Sequence, residues 1–141
     1  MTRRKHDDPL ISLPGYALRR AANAMMAELS ARLDPFDLRI SDASILLLAA
    51  DGKDRTSSDI GKILDIQRAN MVPLLNRLDE AGLIERVPIN LKSQAIRLTP
   101  DGQRKLAEVR AIIDRFEADL LDRIPPEHRQ HFLPALQSLL T

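Results

Sequence analysis

Apolar residues recur at helical spacing through most of this chain, and the places where the spacing breaks divide it into elements. From Pro14 to about Leu33, the residues Tyr16, Leu18, Ala22, Met25, Met26, Leu29 and Leu33 form a broad apolar face on one long helix. Pro14 suits the start of that helix, where a missing amide costs nothing. Asp34-Pro35 ends it, because the residue before a proline avoids helical geometry. Ser41 is expected to cap a second helix, whose run Ile45, Leu46, Leu47, Leu48 and Ala49 is apolar nearly all round and so reads as buried. Asp51-Gly52 closes it. Thr56, Ser57 and Ser58 offer a cap for a third helix carrying Ile60, Ile63 and Leu64. Asp65 falls at a turn, and Met71, Leu74, Leu75 and Leu78 then mark a fourth helix from about Gln67 to Ala81, with Gly82 as its left-handed end.

Beyond Gly82 the period changes. Leu83 to Val87 and Ala95 to Leu98 read as short strands, with Pro88 to Gln94 as the loop between them. Thr99 caps a helix that begins at Pro100, has Asp101 near its positive end and runs to about Ile124. Pro125-Pro126 interrupts, and a last helix carries His131, Phe132, Leu136, Leu139 and Leu140. Helix, turn, longer helix, then strands is the layout of a winged helix-turn-helix DNA reader. The expected fold is therefore mainly α with a small β-wing, in a single domain over residues 1–141. Residues 41–98 form the winged helix-turn-helix region, and residues 13–34 and 100–141 flank it. A first helix of ~20 residues spans about 30 Å, too long for a small wing domain to cover. The flanking stripes cannot bury each other completely, so a symmetric dimer through these ends is expected. Two reading helices on one duplex would then want half-sites roughly 10 base pairs apart, in a pseudo-palindromic site.

Composition narrows the function. The four aromatic residues are Tyr16, Phe36, Phe116 and Phe132, so the core is built from Leu, Ile and Ala. Cysteine is absent, which excludes disulfides, thiolate zinc sites and a thiol peroxide switch. No apolar run approaches the ~20 residues of a membrane span, and the first residues lack the apolar stretch of a secretory signal; a soluble, cytoplasmic protein with no membrane partner is expected. No Ser/His/Asp set, glycine phosphate loop or paired catalytic carboxylates occur at motif spacing, so no enzyme and no cofactor is expected. His128 and His131, three apart beside Glu127, have spacing a metal could use; without a third firm ligand they read as solvated residues, and no metal is assigned.

Net charge is only +1, but Lys53 to Arg97 holds eight basic residues against six acids, a surplus that agrees with DNA binding without establishing it. On the fourth helix, Gln67, Arg68, Asn70 and Pro73 lie off the apolar face and are the candidates for groove contact. Arg can donate a bidentate pair to guanine and Asn can pair with adenine. Pro73 removes a backbone donor to the carbonyl of Ala69 and should bend the helix, although it can still touch a thymine methyl. Arg77, a turn later, is placed at a phosphate. Arg86 and Arg97 on the strands are further phosphate candidates, with an Arg97–Glu85 ion pair as the ordinary alternative. Arg3, Arg4 and Lys5 make either a frayed terminus or a basic arm.

The stretch RANMVPLLNRLDEAGLIER, followed by AIRLTPDGQRKL, resembles the recognition helix, wing and following helix of MarR-type repressors. The resemblance extends from Pro14 to Leu140 and is most specific in RLDEAGLIER and RLTPDG. It implies an intertwined homodimer on double-stranded DNA. Many relatives carry an arginine in the wing loop for the minor groove; the matching positions here are Asn90, Leu91 and Lys92, so Lys92 inherits that contact with charge but without the planar fork. The resemblance also implies a small anionic or aromatic effector between the dimerisation helices and the wing domain. Tyr16, Arg19, Arg20, Met26, Phe36 and Phe116 are the residues that could line such a crevice, with packing as the ordinary role of the rings and Met26. The reading is a DNA-binding repressor released by an effector. The alternative, motivated by Pro73 and the altered wing, is a helical protein-interaction module that kept the fold and lost DNA readout.

Overall fold

A computed structural model describes residues 8–140; the arm residues Arg3, Arg4 and Lys5 lie outside them. Helix α1 covers Pro14–Leu33, and a short 3-10 turn at Asp34–Phe36 leads into α2, Ile40–Ala50. The turn reverses through Asp37, whose φ is 55. Ser41 is not the cap of α2: the helix starts at Ile40, with Arg39 as N-cap, two residues earlier than expected. Asp42 supplies the compensation, accepting the Arg39 amide at 2.8 Å. The capping oxygen thus sits inside the first turn, where it meets an orphan donor.

Helices α3, Ser57–Leu64, and α4, Arg68–Glu80, form the helix-turn-helix. Thr56 caps α3 reciprocally with Asp59: the Asp59 amide donates to the Thr56 hydroxyl at 3.2 Å, and the Thr56 amide donates to the Asp59 carboxylate at 3.0 Å. Both hydrogen bonds from Thr56, backbone and then side chain, hold the Asp59 carboxyl below its ordinary value. Asp65 turns the chain at φ 55, and its amide satisfies the last carbonyls of α3. Pro73 sits within α4 without ending it. Strands β1, Ile84–Pro88, and β2, Gln94–Leu98, pair antiparallel with Glu85 opposite Arg97 and Pro88 opposite Gln94. β1 is displaced by one residue at both ends from the sequence reading, which began at Leu83 and stopped at Val87, and β2 begins one residue earlier, at Gln94. Proline is tolerated at the end of β1 because it closes an edge strand, where its lost donor faces no neighbour.

The core gathers Leu33, Leu38, Ile45, Leu46, Ile60, Met71, Leu75, Leu78, Ile84, Ile96 and Val109 between α2, the helix-turn-helix, the wing and α5, which spans Pro100–Arg123. The corner between wing and α5 is tight. The Thr99 hydroxyl donates to the Gly82 carbonyl at 2.5 Å and accepts from the Gly102 amide at 3.0 Å. A Cβ on Gly102 would lie 1.9 Å from the Leu83 carbonyl oxygen, so close approach is what demands glycine at that position.

The flanks behave differently. Of α1 only Leu33 is buried, and α6, Pro126–Gln137, buries no residue within the chain. Leu18, Met26, Leu133, Leu139 and Leu140 stand exposed. A clamp joins α1 to α5: Glu28 accepts from Arg123 at 2.7 Å and from Arg32 at 3.0 Å, while Arg32 also reaches Asp119 at 2.9 Å. Arg123 first, then Arg32, holds the Glu28 carboxyl below its ordinary 4.5.

Candidate nucleic-acid interface

Helix α4 and the wing face each other across an open cleft of about 1040 Å³, with the amino end of α3 at its side. On α4 Met71, Leu75 and Leu78 are buried, and Gln67 at the N-cap, Arg68, Asn70 and Pro73 are exposed. In the wing Ile84, Ala95 and Ile96 are buried, and Arg86 and Lys92 are exposed. Lys62, Arg68, Arg86 and Lys92 line the cleft, and Asp65 is the one acid among its lining residues. A chain of net charge +1 thus concentrates four cations against one carboxylate in one concave place. Among the described residues, Lys62, Arg68 and Lys92 take part in no ion pair. Arg86 alone is engaged, donating to the Asn76 side chain at 3.0 Å and lying 3.9 Å from Asp79. Such an arrangement neutralises phosphates along a polyanion while a helix end reaches base edges.

Of the eight DNA candidates read from the sequence, the cleft brings together Gln67, Arg68, Arg86 and Lys92. Asn70 and Pro73 are exposed on α4 beside it. Two stand apart. Arg77 is drawn inward, its guanidinium 2.9 Å from Asp42, whose side chain is fully buried, and donating to the Asp37 carbonyl at 3.4 Å. Arg97 lines a different crevice and is bound by Asp54 through two hydrogen bonds of 2.9 and 2.7 Å, so Glu85 is its cross-strand neighbour but not its ion-pair partner. The sequence reading missed Lys62, Ser57, Ser58 and Val72, which also line the cleft. Val72 could have been found: it is an apolar residue off the Met71, Leu74, Leu75, Leu78 face, and it is 53% exposed.

The effector candidates do not converge within the chain. Tyr16 and Arg20 pair at the start of α1, with the guanidinium 5.9 Å from the ring and also bound to Asp8. Arg19 and Met26 are exposed on α1. Phe116 is buried beneath Arg32, 5.5 Å away, and Phe36 lies half-buried, 6.0 Å from Lys105. Spread over a 20-residue helix and two other elements, they line neither cleft. A crevice of about 690 Å³ opens elsewhere, between α2, β2 and α5, with Ala49, Ile96, Leu98 and Leu106 as apolar lining and Lys53, Arg97 and Arg110 as cations. His128 and His131 are exposed on α6, and among the described residues no group of three metal-ligating side chains occurs. Nor is any described helix long and apolar enough to cross a membrane.

No family model matches the chain. Over 97 residues it is 26% identical to the putative transcriptional regulatory protein for the hcr operon of Thauera aromatica, a match that covers 67% of this chain and 58% of that protein. The transcriptional repressor CouR, bound to a 23-mer DNA duplex, is similar with a TM-score of 0.85 at 29% identity over 94% of this chain and 95% of that one. The Mycobacterium tuberculosis MarR family protein Rv2887, in complex with salicylic acid, has a TM-score of 0.72 at 23% identity over 89% of this chain and 95% of its own. The mainly α fold with a two-stranded wing is common to these solved structures.

Proposed function

We propose that this chain, similar in fold to MarR-family regulators, is a winged helix-turn-helix regulator of that type and a homodimeric repressor. It grips a pseudo-palindromic operator through the cleft between α4 and the wing, and it lets go when a small anionic or aromatic effector binds. The observation that carries the reading is the set of four cations facing one carboxylate in that cleft, three of them without an ion pair. The apolar stripes of α1 and α6, uncovered within one chain, support assembly by two-fold pairing. CouR with its duplex and Rv2887 with salicylic acid give the reading a precedent at each end.

DNA contact is assigned in two groups. Gln67, Arg68, Asn70 and Pro73 face bases, and Arg86 and Lys92 face phosphates. Effector capture is assigned to the crevice between α2, β2 and α5, where Lys53, which makes no ion pair among the described residues, and Arg110, drawn from its exposed partner Asp114, can hold an anionic group above Ile96 and Leu106. The mechanism is a population shift: an effector wedged between α5 and the wing favours a spacing of the two reading helices that no longer matches the groove repeat.

The test is operator affinity measured against salt. A DNA binder shows a steep negative log–log slope, about 0.9 per phosphate neutralised. Arg68→Ala should cost about 1–3 kcal/mol on the selected site and little on random duplex; an equal loss on both demotes it to a phosphate contact. Arg110→Ala should leave operator affinity intact and blunt release by aromatic acids or their thioesters. A flat salt response would favour the protein-interaction module instead, the reading motivated by Pro73 and the altered wing.

A further inference from the structure

The tip of the wing carries an apolar side chain that nothing in the fold uses. Leu91 is 105% exposed and its neighbour Ile89 is 47% exposed. Their exposure is not looseness of the loop. The Ile89 amide donates to the Ser93 carbonyl at 2.9 Å, and the Lys92 amide donates to the Asn90 side chain at 2.9 Å. The loop therefore closes on itself and presents Leu91 at its apex. Folding gains nothing from a leucine held this way, since its apolar surface stays in water.

We infer that Leu91 is a wedge: the wing enters the minor groove, Leu91 presses between two base pairs, and the duplex kinks there. The inference rests on the reading that the cleft takes duplex DNA. Leu91 lines the same cleft as Arg68 and Arg86, and Lys92, adjacent in sequence, lines it too without an ion pair. A cation beside an apolar tip suits a groove wall of phosphates with an apolar stack beneath it. Leucine belongs to the set of side chains that unstack base steps from the minor groove. The same neighbours disfavour a protein partner, because Asn90 and Lys92, both exposed, isolate Leu91 from any continuous apolar patch. A wedge also reads sequence without hydrogen bonds: pyrimidine–purine steps unstack most easily, so the step under the wing should be TA or CA/TG.

The experiment selects duplexes from a random pool with the unaltered full chain. It then measures affinity and bend, by end-to-end energy transfer, for the wild type, Leu91→Ala and Leu91→Arg. The wild type should kink its selected duplex by about 20–90° and enrich flexible steps under the wing. Leu91→Ala should lose most of the kink and bind about tenfold more weakly, with its salt slope unchanged because no phosphate contact is lost. Leu91→Arg should keep affinity, lose the kink and shift selection toward narrow A-tract grooves. Equal affinity and equal bending for Leu91→Ala overturn the wedge while leaving the DNA-binding reading intact. So does a Leu91→Ala protein that changes assembly size in sedimentation without changing the bend, which would make the tip a contact between copies. If the wild type retains no duplex at all, the reading beneath the wedge falls with it.

Discussion

Arg77 shows how two tasks compete for one guanidinium. The sequence places it a turn beyond Pro73 on the reading helix, which suggested a phosphate. The structure ties it to Asp42, whose side chain is fully buried, and leaves one oxygen of Asp42 and one nitrogen of Arg77 buried without partners. Removing Arg77 would strand a buried carboxylate, which is usually costlier than the pair is worth. Because the Arg77 side chain is 35% exposed, the expected loss for Arg77→Ala is discounted to about 2 kcal/mol. It should appear as a lower urea midpoint, with the salt slope of DNA binding nearly unchanged; a slope reduced by about one, at unaltered stability, would return Arg77 to the phosphates. The difference was not legible beforehand, because Asp42 is 35 positions away and nothing local announces the pairing. Arg68, by contrast, was legible from its place at the start of the reading helix, ahead of Met71, the first residue that α4 buries.

Among the elements, the joints were harder to read than the helices. Thr56, Asp65, Gly82 and Thr99 announce their turns by chemistry, and each stands where its chemistry placed it. Ser41 misled because it is a good cap residue two positions too late, while Asp42 does the capping from inside the helix. Gly102 carried a resemblance but no reason; the reason is the Leu83 carbonyl packed against it. Gly102→Ala should therefore push α5 off the wing corner and cost about 1–3 kcal/mol, read by chemical denaturation. Gly82→Ala, strained at φ 74, should cost about 1–2 kcal/mol without moving α5. The clamp between α1 and α5 makes a pH prediction. Glu28 titrates below its ordinary 4.5 when folded, so its contribution is fully present above 4.5 and is lost as pH falls through the folded value. Glu28→Gln should flatten the acid limb of the stability profile, with the urea midpoint measured over pH roughly 3 to 6. An unchanged limb would mean the clamp is screened away.

For the whole molecule, the informative surface is the one the chain fails to cover. Both flanks were readable as amphipathic, and α6 buries nothing in its own chain. Where a second copy would sit, and whether its helices complete a cavity around Tyr16 or Phe36, depends on contacts between chains that no periodicity encodes. Leu133→Asp combined with Leu139→Asp should yield a single-chain species in sedimentation and weaken operator binding far more than binding to random duplex; a dimer that survives both charges would move the assembly surface to α1. In the proposed dimer these uncovered stripes also set how the regulator answers to its own abundance. The gripping species forms from two copies, so halving the number of chains in a dilute cell reduces it by up to about fourfold. Gene dosage, more than any single contact, would then decide how sharply the regulated genes switch.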